Sequence, residues 1–489
     1  MSATSTQPPS PDHERAATGT PTETPGSTPS SALTTPRVSA RSIDARIDAM
    51  PRVGLSRGAW FALMLCFFFA NYDISVLAIT LPAMRDELGL AGAQLGYPIT
   101  WNLVGYCVGA YAFGHIADRH GRQKGLILTI AALGLGGFLT AFSWDVWSLT
   151  FFRFLTGCGM GAVLALCSAY IGELAPKNQR GAYLSKLYMV GTVLLIIVGF
   201  ASLPVLSASP SGWRWLLAFG GLVLLVLPFV NSRSLVESPR WLVSMGRPDD
   251  ADHIVRQMET RLNLQPGGAV SVDDIPEEET QQPTDQEERV PARALFQAPY
   301  LSRMLIILGF WFIFYVAMYG YASYLPLILE GIGISTSDAL LVTVASRIMP
   351  LISVVAAVLL VERMERRTMV VAGTLMFAAA LALIALDLGE GVATAGALMS
   401  SFGIAFMATP AYTYTAEIFP TRARGTAAAI ADGVGHLGGA VTPFVILPVL
   451  INYGARPAVF VMVALLLLAA GIIRLGVRTR DRSLTDIAA

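Results

Sequence analysis

Along most of its length the chain alternates long apolar runs with short polar ones. After a polar start there are twelve apolar stretches of roughly 20 residues, each long enough to cross about 30 Å of hydrocarbon as a helix. They lie near 59–81, 96–117, 125–143, 147–170, 183–204 and 213–231, then near 301–329, 339–361, 368–387, 391–414, 426–450 and 456–476. The pattern predicts an all-α membrane protein of twelve transmembrane helices, arranged as two six-helix bundles over 58–231 and 301–476. Residues 1–57 read as a tail. Its first 40 or so residues are rich in Ser, Thr and Pro, too polar to bury enough surface to fold. The basic stretch that follows, with Arg41, Arg46, Arg52 and Arg57 and with Ile43, Ile47 and Met50 at helical spacing, suits either an anionic membrane surface or a plain tail. Residues 232–300 read as a flexible linker with an acidic cluster from Asp273 to Glu288 and a short helix near 247–262. Residues 477–489 form a second short tail.

Composition agrees with this reading. Of 489 residues 54% are hydrophobic and 14% charged, far below the roughly 25% charged of soluble domains. Lys+Arg and Asp+Glu are 34 each, so net charge gives no reason to expect a nucleic-acid partner. The placement of the charge is more informative. Arg119, Arg122, Lys124, Lys177, Arg180, Arg363, Arg366, Arg367, Arg422, Arg424 and the residues from Arg474 to Arg482 gather with the N-terminal tail on one side of the predicted bundle. The other side carries sparse, mixed charge. The positive-inside rule makes the basic side cytoplasmic and puts both termini there, in a cytoplasmic membrane. Cys66, Cys107, Cys158 and Cys167 all lie in apolar runs, without a C-x-x-C pair, and read as small hydrophobes. No signal peptide precedes the first run. The sequence has no P-loop, metal-ligand cluster or nucleophile–base set, so no enzyme, cofactor or metal is expected. Any transport would draw on an ion gradient.

The chain also repeats itself. Gly114-His-Ile-Ala-Asp118-Arg119-His-Gly121-Arg122-Gln-Lys124 is echoed by Val358-Leu-Leu-Val-Glu362-Arg363-Met-Glu365-Arg366-Arg367, 244 residues on. At the same offset, Glu173…Arg180-Gly181 matches Glu417…Arg424-Gly425 in the pattern E-x-x-P-x-x-x-R-G, with Tyr170 and Tyr414 just before. Leu81-Pro82 matches Leu325-Pro326. Two parallel halves of this kind place a substrate site between them, near the membrane midplane.

These motifs resemble the major facilitator superfamily, over about residues 59–476. Val236-Glu-Ser-Pro-Arg-Trp-Leu242 is similar to the P-E-S-P-R-W-L motif of its sugar porters and organic-ion transporters, with Val236 in place of the first Pro. The resemblance implies the major facilitator fold, acting as a monomer by alternating access. It also implies a gating latch at the cytoplasmic face, formed by Gly114, Asp118, Arg119, Gly121, Arg122, Glu173 and Arg180 with Glu362, Arg363, Arg366, Glu417 and Arg424. Charges at helix ends in partial desolvation pair more strongly than exposed ones and must separate for the inner mouth to open. The loop after span two is expected to partner the Glu173 and Arg180 loop. The second copy has lost both glycines (Val358 and Glu365 stand in their places) and should be the weaker latch.

Charges inside the spans are expensive, at roughly 2.5–3.5 kcal/mol each on insertion scales, and must pair or face a cavity. Asp73 in span one and Arg153 in span four match, with Asn71 replacing a Gly, a pair found in proton-coupled members of the family. They are the candidate proton switch, the alternative being a static ion pair. Arg347 in span eight is expected to meet either Asp432 or a substrate carboxylate. His436 in span eleven is expected either to face the cavity and titrate near neutral pH or to act as a packing hydrogen-bonder. Asp432 itself is read as interfacial. Span seven lacks the glutamines of sugar porters and is aromatic instead, so Trp311, Tyr315 and Tyr319, with Tyr188 on span five, are candidate substrate contacts. The resulting expectation is proton symport of a small organic, aromatic carboxylate. The alternatives are a sugar or organic-cation porter, and a drug/proton antiporter, whose span-five motif Gly191–Gly199 lacks.

Overall fold

The structure is a computed structural model that describes residues 40–230, 235–265, 292–361 and 363–478. Each apolar run is a helix. A short α1 (Ala40–Asp48) precedes α2 (Arg57–Leu88), α3 (Tyr97–His120), α4 (Arg122–Thr140), α5 (Val146–Leu174), α6 (Arg180–Ala208) and α7 (Gly212–Gly220), which continues as 3-10 turns over Gly221–Phe229. Then come α8 (Pro239–Ser244) and α9 (Pro248–Arg261), the latter where a short linker helix is expected. The second series is α10 (Leu301–Gly331), α11 (Thr336–Ala345), α12 (Met349–Val361), α13 (Arg366–Ala385), α14 (Glu390–Glu417), α15 (Thr421–Tyr453) and α16 (Ala455–Arg474). With α11 and α12 counted as one span, twelve spans result. Among the described residues eleven are apolar and long enough to cross a membrane on those criteria alone. The twelfth is α3, diluted by Tyr97, Trp101, Asn102, Tyr106 and Tyr111.

Local chemistry sets the boundaries. Ser56, Asp145, Ser238 and Ser335 each accept a backbone N–H in the first turn of the following helix. Pro350 has no N–H to offer the carbonyl of Ser346, and the span winds into a 3-10 turn over Ser346–Ile348. Arg347 sits in that turn. Glycines decide one helix pair. In α5, Gly157 and Gly161 lie against the α3 backbone, where an added Cβ would come within 2.0 Å of the carbonyls of Asn102 and Tyr106. Gly105 and Gly109 of α3 meet the α5 backbone in the same way. Small residues on both faces let two helices touch backbone to backbone.

In the first half α3 packs on α4 and α5, and α2 on α6; in the second, α13 packs on α14 and α16, and α10 on α15. Across the halves α3 meets α15, α2 meets α10 and α6 meets α11. Arg85 at the end of α2 reaches Glu330 of α10 at 3.4 Å, and Thr100 donates to the carbonyl of Ala440 at 3.0 Å. These contacts lie in the half of the bundle away from the basic loops.

The basic segment before α2 is not a plain tail. α1 packs on α8 and α9, with Ile43 and Ile47 fully buried. Arg46 is 6% exposed and reaches Glu259 at 2.8 Å and Asp252 at 2.5 Å. The hydrophobic spacing was the right signal for a helix, but the face it buries is protein. Residues 1–39, the acidic cluster from Asp273 to Glu288, Glu362, Arg480 and Arg482 lie outside the described residues.

Candidate functional site

The expected charge pair inside the first half is formed. Arg153 is fully buried, and its two terminal nitrogens donate to Asp73 at 2.7 and 2.5 Å. Asn102 donates to the main-chain carbonyl of Arg153 at 3.1 Å. The glycine-lined contact of α3 with α5 therefore also fixes the height at which the arginine leaves its helix. Two parallel N–H···O bonds in a dry setting hold such a pair firmly, and removing one partner leaves an uncompensated buried charge.

The loop between α3 and α4 holds the next set of charges. Arg122 bridges Asp118 and Glu173, the latter at 2.9 Å. Shifted by 244 residues, Arg366 lies 3.1 Å from Glu417. The sequence repeat is thus a repeat of ion pairs, each within its own half. Arg119 and Arg363 are exposed and pair with no described residue. Arg180 does not join the Asp118 loop as expected. It donates to the carbonyl of Ala175 at 3.3 Å and lies 3.9 Å from Asp48, because α1 occupies that side of it. Arg424 likewise turns to a carbonyl, that of Ala416, at 2.9 Å. A side chain at Gly114 would meet nothing within 4 Å, so packing does not require that glycine here.

Glu237, given no role by the sequence, anchors this corner. It accepts the backbone N–H groups of Arg122 at 2.9 Å and Gln123 at 3.2 Å. A carboxylate at a helix N-terminus meets unpaired donors and the positive end of the dipole. Burial outweighs these bonds and raises the Glu237 carboxyl above its usual range. Gly121, at φ 108°, turns the chain from α3 into α4, and a Cβ there would come within 2.3 Å of Glu237 Oε2. The signal available in the sequence was the acid in Val236-Glu-Ser-Pro-Arg.

Between the halves, Tyr72, Ser75, Leu195, Ser202, Val344 and Arg347 line a cavity of about 20 Å³. Arg347 is partly buried and forms no ion pair or hydrogen bond among the described residues; Asp432, its alternative partner, is engaged elsewhere. A wider cavity of about 300 Å³, lined by Pro82, Asp86, Glu87, Leu206 and Thr336, lies toward the opposite face and shares Ile79 with the first.

The aromatic residues of α10 form a packed wall. Trp311 is 2% exposed and donates its N–H to Thr415 at 3.1 Å. Tyr315 and Tyr319 are buried, and Tyr315 bonds Tyr412 through the hydroxyls at 2.9 Å. Tyr188 is more open, 53% exposed, with its ring edge-on to Phe67. His436 is buried and stacks on Tyr106 of the other half, ring centroids 4.0 Å apart. Its Nδ1 lies 2.9 Å from the carbonyl of Asp432. Asp432 also accepts the Tyr412 hydroxyl at 3.0 Å, which joins it to this aromatic cluster.

A family model described as "Sugar (and other) transporter" matches residues 60–488. The niacin transporter NiaP of Acinetobacter baylyi is 27% identical over 452 residues, covering 90% of this chain and 98% of that protein. The 4-hydroxybenzoate transporter PcaK of Pseudomonas aeruginosa is 26% identical over 407 residues, covering 82% and 88%. Among solved structures, the partially occluded inward open conformation of the xylose transporter XylE from E. coli superposes with a TM-score of 0.69 at 20% identity, covering 87% of this chain and 99% of that one. This last likeness establishes the twelve-span major facilitator fold.

Proposed function

From the premise that the chain belongs to the sugar (and other) transporter family, we propose that it moves a small organic carboxylate, an aromatic acid in the first instance, across the membrane together with a proton. The bundles over 58–231 and 301–476 are the two units that rock around the path between them. With the basic loops on the cytoplasmic side, the halves meet at their outer ends, through Arg85–Glu330 and Thr100–Ala440. These contacts support an inward-facing arrangement. Closing the inner mouth would bring the Arg122–Glu173 and Arg366–Glu417 corners together.

The observation that carries the substrate class is Arg347. An arginine within a span, at a break in its helix and beside the path, has no carboxylate in contact. Leaving a charge uncompensated there costs roughly 2.5–3.5 kcal/mol on insertion scales, which an anionic substrate would offset. The small cavity around it fits the closed outer half of an inward-facing carrier, and opening toward the wider outer cavity would admit a solute. The printed names of two relatives, transporters of niacin and of 4-hydroxybenzoate, support the same class; the xylose transporter in the structural comparison supports the sugar alternative.

The proton role rests on Asp73 and Arg153. Protonating Asp73 would release Arg153 and change the relative energy of the two facing states. The substrate class is tested by calorimetric binding of benzoate, D-xylose and tetramethylammonium to the purified protein. Benzoate is expected to bind, with affinity about 10- to 100-fold weaker in Arg347→Gln, since hydrogen bonds to a charged group contribute about 1.5–3 kcal/mol. Binding of D-xylose in preference to benzoate, unaffected by the substitution, would reject the carboxylate reading.

A further inference from the structure

The cluster around His436 contains a carboxylate with no role in the account so far. Asp432 and His436 stand four residues apart on α15, on one face of the helix. His436 Nδ1 is 2.9 Å from the main-chain carbonyl of Asp432 and 3.4 Å from its Oδ2. A carbonyl only accepts, so Nδ1 carries a hydrogen and the neutral ring has its lone pair on Nε2. Nε2 has no hydrogen-bond partner among the described residues. On the carboxylate side the donors point inward. Tyr412 donates to Oδ1 at 3.0 Å, and Tyr315, 2.9 Å from the Tyr412 oxygen, is left to donate to Tyr412.

The surroundings decide where a counter-charge can sit. The titratable groups facing the pair are Tyr106 and Cys107 from α3, Tyr188 from α6, Tyr315 and Tyr319 from α10, and Tyr412 from α14. None is a lysine or an arginine. Tyr106 lies flat on the imidazole, interplanar angle 8°, and Tyr315 meets it edge-on at 5.1 Å. Among the contacts of Asp432, His436 is the group that can become a cation.

From this geometry we infer that Asp432 is a positioning residue for His436, and that the two form a second protonation site, separate from Asp73 and Arg153, which presents a positive Nε2–H to an anionic group in the path between the halves. The anionic ligand rests on the proposed function above; the protonation site does not. The step is a simple one. A proton from water bonds to the Nε2 lone pair, the ring becomes imidazolium, Nδ1 keeps its hydrogen and Asp432 keeps its charge. The pair needs no relay to the α2–α5 switch, so one half would sense protons through a carboxylate and the other through an imidazole.

The test is nitrogen NMR of ring-labelled histidine in the full-length protein in nanodiscs, with the His436 signal assigned by its loss in His436→Gln. At high pH the signal is expected to show hydrogen on Nδ1. On acidification from about pH 8 to pH 5, the window in which an unperturbed imidazole changes charge, it should switch to the doubly protonated form. In Asp432→Asn the main-chain carbonyl stays in place, so the tautomer should persist. The switch should need a lower pH than in the unsubstituted protein, since the carboxylate charge beside the ring is gone. A neutral form with hydrogen on Nε2, no switch in that range, or a switch at the same pH in Asp432→Asn would overturn the proposal. If Asp432→Asn does not fold, the wild-type tautomer and switch still decide. Failure of benzoate to bind would sink the substrate reading while leaving this titration untouched.

Discussion

At the scale of single residues, Gly121 shows why one copy of a repeated motif keeps a glycine and the other does not. Gly121 has φ 108°, a conformation that side chains resist, and sits against Glu237. Its counterpart 244 residues on, Glu365, has φ −68° and needs no glycine. Gly121→Ala would combine backbone strain of about 1–3 kcal/mol with displacement of the Glu237 carboxylate from the α4 N-terminus. Transport should therefore fall more for Gly121→Val or Asp118→Asn than for Glu365→Gln, as measured by initial uptake rates at equal expression. Equal losses would remove the asymmetry. Asp73 and Arg153 were legible in the sequence because charges in apolar runs are conspicuous and must be paired. The contacts of Glu237, Asp432 and Tyr412 were not, because no charge pairing along the chain marks the backbone groups and hydroxyls that they meet. The Asp-x-x-x-His spacing of Asp432 and His436 was the one local sign.

At the scale of elements, the spans themselves were readable to within a few residues, since length and apolarity alone fix a membrane helix. The exceptions come from tertiary packing. The α3–α5 contact depends on glycines whose purpose appears only when the two backbones touch. The same holds for α1, whose apolar stripe was clear but whose partner was not. Arg46 links it to Glu259 and Asp252, and Asp44 and Asp48 reach Arg240 at 2.8 and 3.4 Å. Arg46→Ala takes two donors from the fully buried Glu259 and one from Asp252, and so removes the charged tie between α1 and α9. A spin label at Ala49→Cys should then become mobile at neutral pH while the membrane spans stay folded. Acid should do the same in the unsubstituted protein. Burial pushes the Asp252 carboxyl up, but Arg46 and Arg256 outweigh it and hold it below the usual range. A lowered pKa contributes stability above the unfolded-state value, about 3.9, and that contribution fades as pH falls below it. The label should loosen below about pH 4; equal mobility from neutral pH downward would mean α1 is held by its apolar face alone.

At the scale of the whole molecule, the two halves are alike in the ion pairs of their loops and unlike in their core. Arg122–Glu173 and Arg366–Glu417 stand at corresponding positions, whereas the positions corresponding to Asp73 and Arg153 are Ala317 and Ala397. The division fits a carrier whose first half holds a charge pair that a proton can open and whose second half offers Arg347 to a substrate. The most direct measurement is uptake of radiolabelled benzoate into proteoliposomes under an imposed pH gradient, acid outside. Accumulation above equilibrium that a protonophore collapses is expected, with Asp73→Asn converting it to exchange without accumulation and Arg347→Gln abolishing it in both modes. Accumulation that survives the protonophore, or that proceeds unchanged in Asp73→Asn and Arg347→Gln, would contradict this expectation.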